Sequence, residues 1–167
     1  MSFLVDFQIK NEIINNNLIS NYIDLNTQLQ PTSFELTVNK VYSIYNVSTI
    51  DFDNSNRRLS SYSELLFNND NIFLDFGIYK ILFNETVNIP NNIFAIGYPR
   101  SSLIRCGNTI HTAIWDPGYH GKSECLLTIN NPDGLILKKN ARILQLLFYK
   151  LDVQVEKEYN GIYNHFF

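Results

Sequence analysis

The sequence predicts an all-β domain, either a sandwich or a barrel, with one short helix at its N-terminal end. Three observations favour this class. From Phe34 onward, apolar and polar residues alternate with a period of two, and β-branched and aromatic residues are abundant. Turn-forming clusters separate these segments at short intervals. No internal repeat or long linker divides the 167 residues, so we expect a single domain over 1–167.

The elements follow in a simple order along the chain. The N-terminal segment 1–20 contains the helix, because apolar residues recur among polar ones between Asp6 and Ile19, and Asp6 is a candidate cap. Strand-like segments then occupy 34–38, 42–45, 72–76, 79–83, 126–129 and 143–148. Turn clusters occupy 51–58, 68–71, 88–92, 116–122 and 130–134. Residues 156–167 form a C-terminal tail.

The composition gives no reason to expect a nucleic-acid or membrane protein. The net charge of -3 offers no overall field for nucleic acid. No apolar stretch approaches the roughly 20 residues that cross a membrane, and no basic start precedes an apolar run, so no signal peptide is evident. Two cysteines are too few for a disulfide scaffold and lack metal-ligand spacing. We therefore expect reduced thiols and a cytoplasmic location.

Most of the chemistry lies between Pro99 and Gly121. Arg100, Ser101, Ser102 and Arg105 fall within six positions. Guanidinium groups bind phosphate through paired hydrogen bonds, and serine hydroxyls with backbone N–H groups can complete an anion site. These residues are candidates to hold a polyphosphate. The alternative is a surface turn with two solvated arginines.

The second part of this stretch is an Asp-Pro-Gly-Tyr turn. Asp116 either caps the turn or orients or deprotonates a water molecule. Tyr119 either packs against a deoxyribose or is an ordinary core or interface aromatic.

Five segments together resemble the dUTPase and dCTP deaminase family, in order and in spacing. They are QPTSFEL (30–36), PRSSLIR (99–105), TAIWDPGYHG (112–121), NARILQLLF (140–148) and EYNGIY (158–163). The pattern is most similar to the archaeal-type dUTPases. The resemblance implies a distorted, jelly-roll-like β-barrel (the β-clip), assembled as homotrimers with active sites between subunits.

The resemblance also implies a reaction. It favours hydrolysis of dUTP to dUMP and pyrophosphate, by Mg²⁺-assisted attack of water on the α-phosphorus. The alternatives are a dCTP deaminase, an enzyme with both activities, or a nucleotide-binding regulatory module. With the asparagines of the strand after the turn aligned, the deaminase glutamate falls at Thr128, which cannot act as a general acid or base. Glu124 lies four positions earlier, about 13 Å away at about 3.3 Å per residue. We therefore expect it to be a rim residue or a salt-bridge partner.

The family's roles transfer to matching positions as follows. Asp116 would be catalytic, and Tyr119 would lie under the sugar. Phosphate contacts fall to Arg100, Ser101, Ser102 and Arg105, and Gln145 would touch phosphate or base.

The hairpin 107–116 would surround the base, with His111 and Thr112 as candidate lining residues. Tyr163, in preference to Tyr159, would close over the nucleotide. Glu35, where the family usually has aspartate, would face Mg²⁺ through water. Arg142 would pair with a carboxylate beside the site.

Overall fold

Strands dominate the computed structural model, which describes residues 2–164. The helices are α1 (Asp6–Asn16), α2 (Leu25–Gln28) and α3 (Ser101–Arg105). The strands are β1 (Ser2–Phe3), β2 (Ile19–Ser20), β3 (Leu29–Gln30), β4 (Ser33–Tyr45), β5 (Ser61–Leu65), β6 (Asn71–Leu74), β7 (Gly77–Asn88), β8 (Ile93–Pro99), β9 (Asn108–His111), β10 (His120–Ile129), β11 (Leu135–Lys138) and β12 (Arg142–Lys150). The predicted all-β class is confirmed.

The strands pair antiparallel in a curled ten-stranded sheet, and β6 with β11 forms a separate two-stranded sheet. The main path runs β1-β12-β4-β7-β10-β9, and β2, β3, β5 and β8 pair with strands on this path. Strand β4 makes the curl possible because its first half pairs with β12 and its second half with β5. A register shift between Val38 and Lys40 marks the change, as expected of a bulge that bends a strand.

The core lies inside the curl. Its largest fully buried side chains are Phe34, Phe83 and Phe148, from three neighbouring strands. The first half of β4, residues 33–38, is buried on both faces, and polar Glu35 and Thr37 alternate there with apolar residues. On the polar face, Thr37 forms hydrogen bonds with Glu85 of β7. Glu85 accepts from the backbone N–H of Thr37 at 2.9 Å, from its hydroxyl at 2.6 Å and from Gln28 at 2.7 Å.

The N-terminal helix confirms the sequence prediction, although its cap differs. Asp6 is the first helical residue, and Val5 precedes the helix with its N–H donated to the Gln8 side chain at 3.1 Å. The helix ends where Asn17 adopts a left-handed conformation, with φ of 54°. Ile9 and Ile13 bury one face against the sheet. No helix within residues 2–164 is long and apolar enough to cross a membrane.

Candidate active site

The first group of predicted site residues lies where β8 ends. Arg100 has extended backbone and precedes α3, whose Leu103 is buried and fixes the helix to the core. Ser101, Ser102 and Arg105 are exposed. The first N–H groups of a helix have no carbonyl partner within it. The turn therefore offers two hydroxyls and unpaired amide donors to solvent, which suits an anionic ligand.

Glu35 lies beneath this turn, between two arginines. Arg100 donates through Nε to Glu35 Oε1 at 2.5 Å, and Arg142 Nη1 is 2.9 Å from Oε2. The contact between Arg142 Nη1 and Glu35 Oε2 is an ion pair without the geometry of a hydrogen bond. Arg142 also donates to the Thr27 carbonyl, and Arg100 Nη1 donates to the Arg142 carbonyl. The expected pairing of Arg142 with a nearby carboxylate is therefore present.

These contacts determine whether Glu35 is suited to bind Mg²⁺. Mg²⁺ binds through carboxylate, water and phosphate oxygens, but both Glu35 oxygens face guanidinium groups and the side chain is only 3% exposed. The residues present do not fit a metal ion at Glu35. Within residues 2–164, no cluster of three or more histidine, cysteine, aspartate or glutamate side chains is arranged to hold a metal.

The Asp-Pro-Gly-Tyr turn forms the second group, at the opposite end of β8. Trp115 is buried, exchanges two backbone hydrogen bonds with Ala95 and donates from its indole to Ser123 at 2.7 Å. Gly118 has φ of +89°, a conformation that favours glycine. Asp116, which follows Trp115, is exposed and lines a cavity of about 450 Å³. Rigid neighbours thus present a carboxylate to solvent.

Tyr119 packs its ring against the core, and its hydroxyl donates to the Lys122 carbonyl at 2.9 Å. Burial raises the pKa of Tyr119 to about 12. The hydroxyl therefore stays protonated at neutral pH and serves to hold the ring in place. Tyr119 offers a fixed apolar surface next to Asp116 rather than an acid or base.

The tail closes the other side of the 450 Å³ cavity. The Tyr159 N–H donates to the Pro117 carbonyl at 2.8 Å, and its ring lies 5.8 Å from that of Tyr119. Asn91 donates to Glu158, and the His120 N–H donates to Asn164. Tyr159, which the sequence ranked below Tyr163, is thus the tail tyrosine that contacts the turn. The final residues of the tail, 165–167, lie outside the described residues.

A second cavity, of about 260 Å³, lies beside the predicted base hairpin. His111 and Thr112 line it together with Lys80, Glu124 and Tyr62. Lys80 donates to Glu124 at 2.7 Å, so the expectation of a salt bridge for Glu124 is confirmed. Burial raises the pKa of the Tyr62 hydroxyl, and the nearby Glu124 and Tyr163 add to this effect.

Lys80 and Tyr62 were not predicted from the sequence. Lys80 Nζ lies 3.8 Å from the ring centre of Tyr62 and 4.7 Å from that of Tyr42. Cross-strand registers create this cluster: Lys80 is opposite Tyr42 on one side and Leu126 on the other. The alternation in 42–45 and 79–83 indicated the strands, but sequence alone does not give their register.

The candidate residues do not form one cluster within the chain. Gln145 is directly opposite Glu35 in the sheet and belongs with the Arg100 group. Asp116 follows Trp115, which pairs with Ala95, five residues before Arg100. At about 3.3 Å per residue, the two groups lie about 17 Å apart along β8. The structure therefore separates the candidate phosphate contacts from the candidate catalytic carboxylate.

Known proteins with similar sequences and folds agree on one family. The model of the dCTP deaminase-like family matches residues 3–151. A protein of Methanococcoides burtonii named probable deoxyuridine 5'-triphosphate nucleotidohydrolase is 52% identical, over 89% of this chain and 88% of its own. The deoxyuridine 5'-triphosphate nucleotidohydrolase of Methanocaldococcus jannaschii is 38% identical, over 90% of this chain and 97% of its own.

A solved structure supports the same fold. The 2'-deoxycytidine 5'-triphosphate deaminase of Agrobacterium tumefaciens superposes with a TM-score of 0.65 at 19% identity, covering 87% of this chain and 47% of that one. At this identity the likeness concerns the fold alone. Together with the match over 3–151 and the archaeal relatives, it agrees with the distorted barrel expected from the sequence. The chain belongs to the dCTP deaminase-like family.

Proposed function

We propose that this protein is a dUTP nucleotidohydrolase that converts dUTP to dUMP and pyrophosphate. Two archaeal relatives that match this chain over most of their length are named deoxyuridine 5'-triphosphate nucleotidohydrolase, one of them as probable. The structural observation that supports hydrolysis over deamination is the pairing of Glu124, the carboxylate nearest to Thr128 along β10. Glu124 is held by Lys80 at 2.7 Å, whereas Asp116 is exposed beside a cavity. Asp116, which forms no ion pair among the described residues, is thus the carboxylate expected to act on water.

The proposed mechanism assigns separate tasks to the two groups of residues. Asp116 orients the attacking water and accepts its proton as the water attacks the α-phosphorus. Tyr119 supports the deoxyribose with its half-buried ring and would exclude a 2'-hydroxyl. Ser101, Ser102 and Arg105 hold the phosphates, and Gln145 adds a polar contact.

Arg100 acts largely through Glu35. Its Nε and Nη1 already bond to Glu35 and to the Arg142 carbonyl. The remaining guanidinium surface can reach a phosphate while Glu35 keeps the group in place. Mg²⁺ would neutralise the triphosphate and would enter with it, held by phosphate oxygens rather than by Glu35.

We propose that the active site is completed by a second copy of the chain within a homotrimer. The separation of about 17 Å along β8 supports this arrangement, since water held by Asp116 must reach a phosphorus that the serine turn also holds. One copy would contribute Asp116, Tyr119 and Thr112, and its neighbour Ser101 and Ser102. Tyr163, close to Tyr62 at the second cavity, would cover the nucleotide from the tail.

Complementation tests the shared site. Asp116→Asn and Ser101→Ala variants are each expected to be inactive as pure assemblies. Subunits mixed by unfolding and refolding together should regain part of the activity, because some sites then combine two intact halves. No recovery, with mixed assemblies verified by mass, would contradict the shared site.

The activity itself is tested by supplying dUTP or dCTP with Mg²⁺ and measuring pyrophosphate and ammonia separately. Pyrophosphate from dUTP without ammonia from dCTP is the expected result. Ammonia from dCTP would favour a deaminase or an enzyme with both activities. Binding of dUTP without either product would favour a regulatory module.

Both thiols are free in the structure, which agrees with the proposed cytoplasmic location.

A further inference from the structure

The cavity beside Thr112 carries an ion pair that none of the family's motifs includes. Lys80 and Glu124 line it, with 15% and 31% of their side chains exposed. Ile44, Leu126 and Tyr62 supply apolar walls. Small-molecule sites commonly have such walls with a few polar groups that fix orientation. At about 260 Å³ the cavity suits one end of a nucleotide rather than the whole of it.

The Lys80 ammonium is held firmly in place. It contacts Glu124 Oε1 at 2.7 Å and lies over the rings of Tyr62 and Tyr42 at 3.8 and 4.7 Å. Both the ion pair and the attraction between a cation and an aromatic face therefore restrain the ammonium. Among the described residues, Lys80 donates its hydrogen bond to Glu124 Oε1. One carboxylate oxygen of Glu124 and further N–H donors of Lys80 thus remain for a ligand.

This arrangement offers a donor beside an acceptor. Uracil presents the complementary edge, with an acceptor oxygen at position 4 and a donor N–H at position 3. Cytosine presents the reverse, an amino donor at position 4 and an acceptor nitrogen at position 3. A fixed ammonium facing position 4 and a fixed carboxylate facing position 3 would therefore bond to uracil and oppose cytosine.

We propose that the Lys80–Glu124 pair is a specificity determinant that selects uracil over cytosine by side-chain contact. The proposal rests on the proposed function, because it assumes that the base enters beside Thr112. Lys80 donates to the position-4 oxygen and Glu124 accepts from N3–H. The pair acts in recognition alone and takes no part in the attack on phosphorus.

The test is the ratio of dUMP to dCMP affinity, measured by calorimetry on the full chain. Lys80→Met keeps the length of the side chain and removes the donor. Hydrogen bonds to charged groups contribute enough that we expect the ratio to fall about 10- to 100-fold. Glu124→Gln leaves Lys80 over its rings and should also lower the ratio. For dUTP hydrolysis, KM should rise more than kcat falls.

The chain offers a matched control. Lys40 and Glu64 form a similar pair at 2.8 Å on neighbouring strands of the same sheet, away from the cavity. Lys40→Met should leave the ratio unchanged. If Lys80 had a purely structural role, Lys80→Met would weaken the binding of dUMP and of dCMP equally.

An unchanged ratio in both Lys80→Met and Glu124→Gln would overturn the proposal while dUTP hydrolysis stands. A wild-type chain that neither hydrolyses dUTP nor binds dUMP would overturn the proposed function, and this inference with it.

Discussion

Replacing Glu35 by glutamine should destabilise the protein and disturb the phosphate turn. The substitution keeps the shape of the side chain but removes the charge that Arg100 and Arg142 share. Removing one partner of a buried ion pair typically costs about 3–5 kcal/mol. The arginines keep 25% and 31% exposure and their carbonyl contacts, so water partly solvates them. We therefore expect a loss of about 2–4 kcal/mol of unfolding free energy.

The assay is thermal unfolding at fixed protein concentration, followed by circular dichroism. For a domain of this size the expected fall in Tm is roughly 5–15 °C. Glu64→Gln is the control, because it breaks the exposed pair with Lys40 and should barely change Tm. Pyrophosphate release should fall in Glu35→Gln even below its Tm, since Arg100 loses its anchor. A Tm equal to that of the control would refute the structural role assigned to Glu35.

Three further predictions concern the turn and the buried carboxylate. Asp116→Asn should lower dUTP turnover by about 10²- to 10⁴-fold while leaving Tm unchanged; near-normal hydrolysis would remove its catalytic assignment. Gly118→Ala should detach the tail, because the residue has φ of +89° and the new Cβ would lie 2.8 Å from that of Glu158; faster proteolysis after Leu151 would reveal this, and unchanged cleavage would contradict it. Burial raises the pKa of Glu85 above its ordinary 4.5, so the folded state favours the protonated form. Wild-type stability relative to Glu85→Gln should therefore be greatest below about pH 4.5 and fall as pH rises through the raised pKa; the opposite slope in urea unfolding would contradict this direction.

The sequence predicted the parts of the fold that have a strong local pattern. Alternation in 79–83 and 143–148 marked β7 and β12, which are long and central. It predicted two strands where β4 runs unbroken from Ser33 to Tyr45, because polar Asn39 and Lys40 interrupt the pattern at the register shift. It missed β8, whose Gly97 and Pro99 are poor strand formers.

The same limit applies to the candidate site. Motif spacing named Arg100 and Asp116 but gave no information on how far apart the fold places them. The resemblance assigned Glu35 to Mg²⁺, and its partners Arg100 and Arg142 could not be inferred because they come from distant parts of the chain. Lys80 carries no motif, and only the pairing of β7 with β4 and β10 brings it to Glu124 and Tyr42. Contacts between strands that are distant in sequence thus determine the surroundings of these residues, and local sequence patterns do not report such contacts.

The most direct test of the central claim is hydrolysis of dUTP in heavy-oxygen water, followed by mass spectrometry of both products. Attack on the α-phosphorus predicts one heavy oxygen in dUMP and none in pyrophosphate, with no ammonia from dCTP in a parallel reaction. Label in pyrophosphate instead of dUMP would show that water attacks a different phosphorus. That result would contradict the mechanism proposed for Asp116.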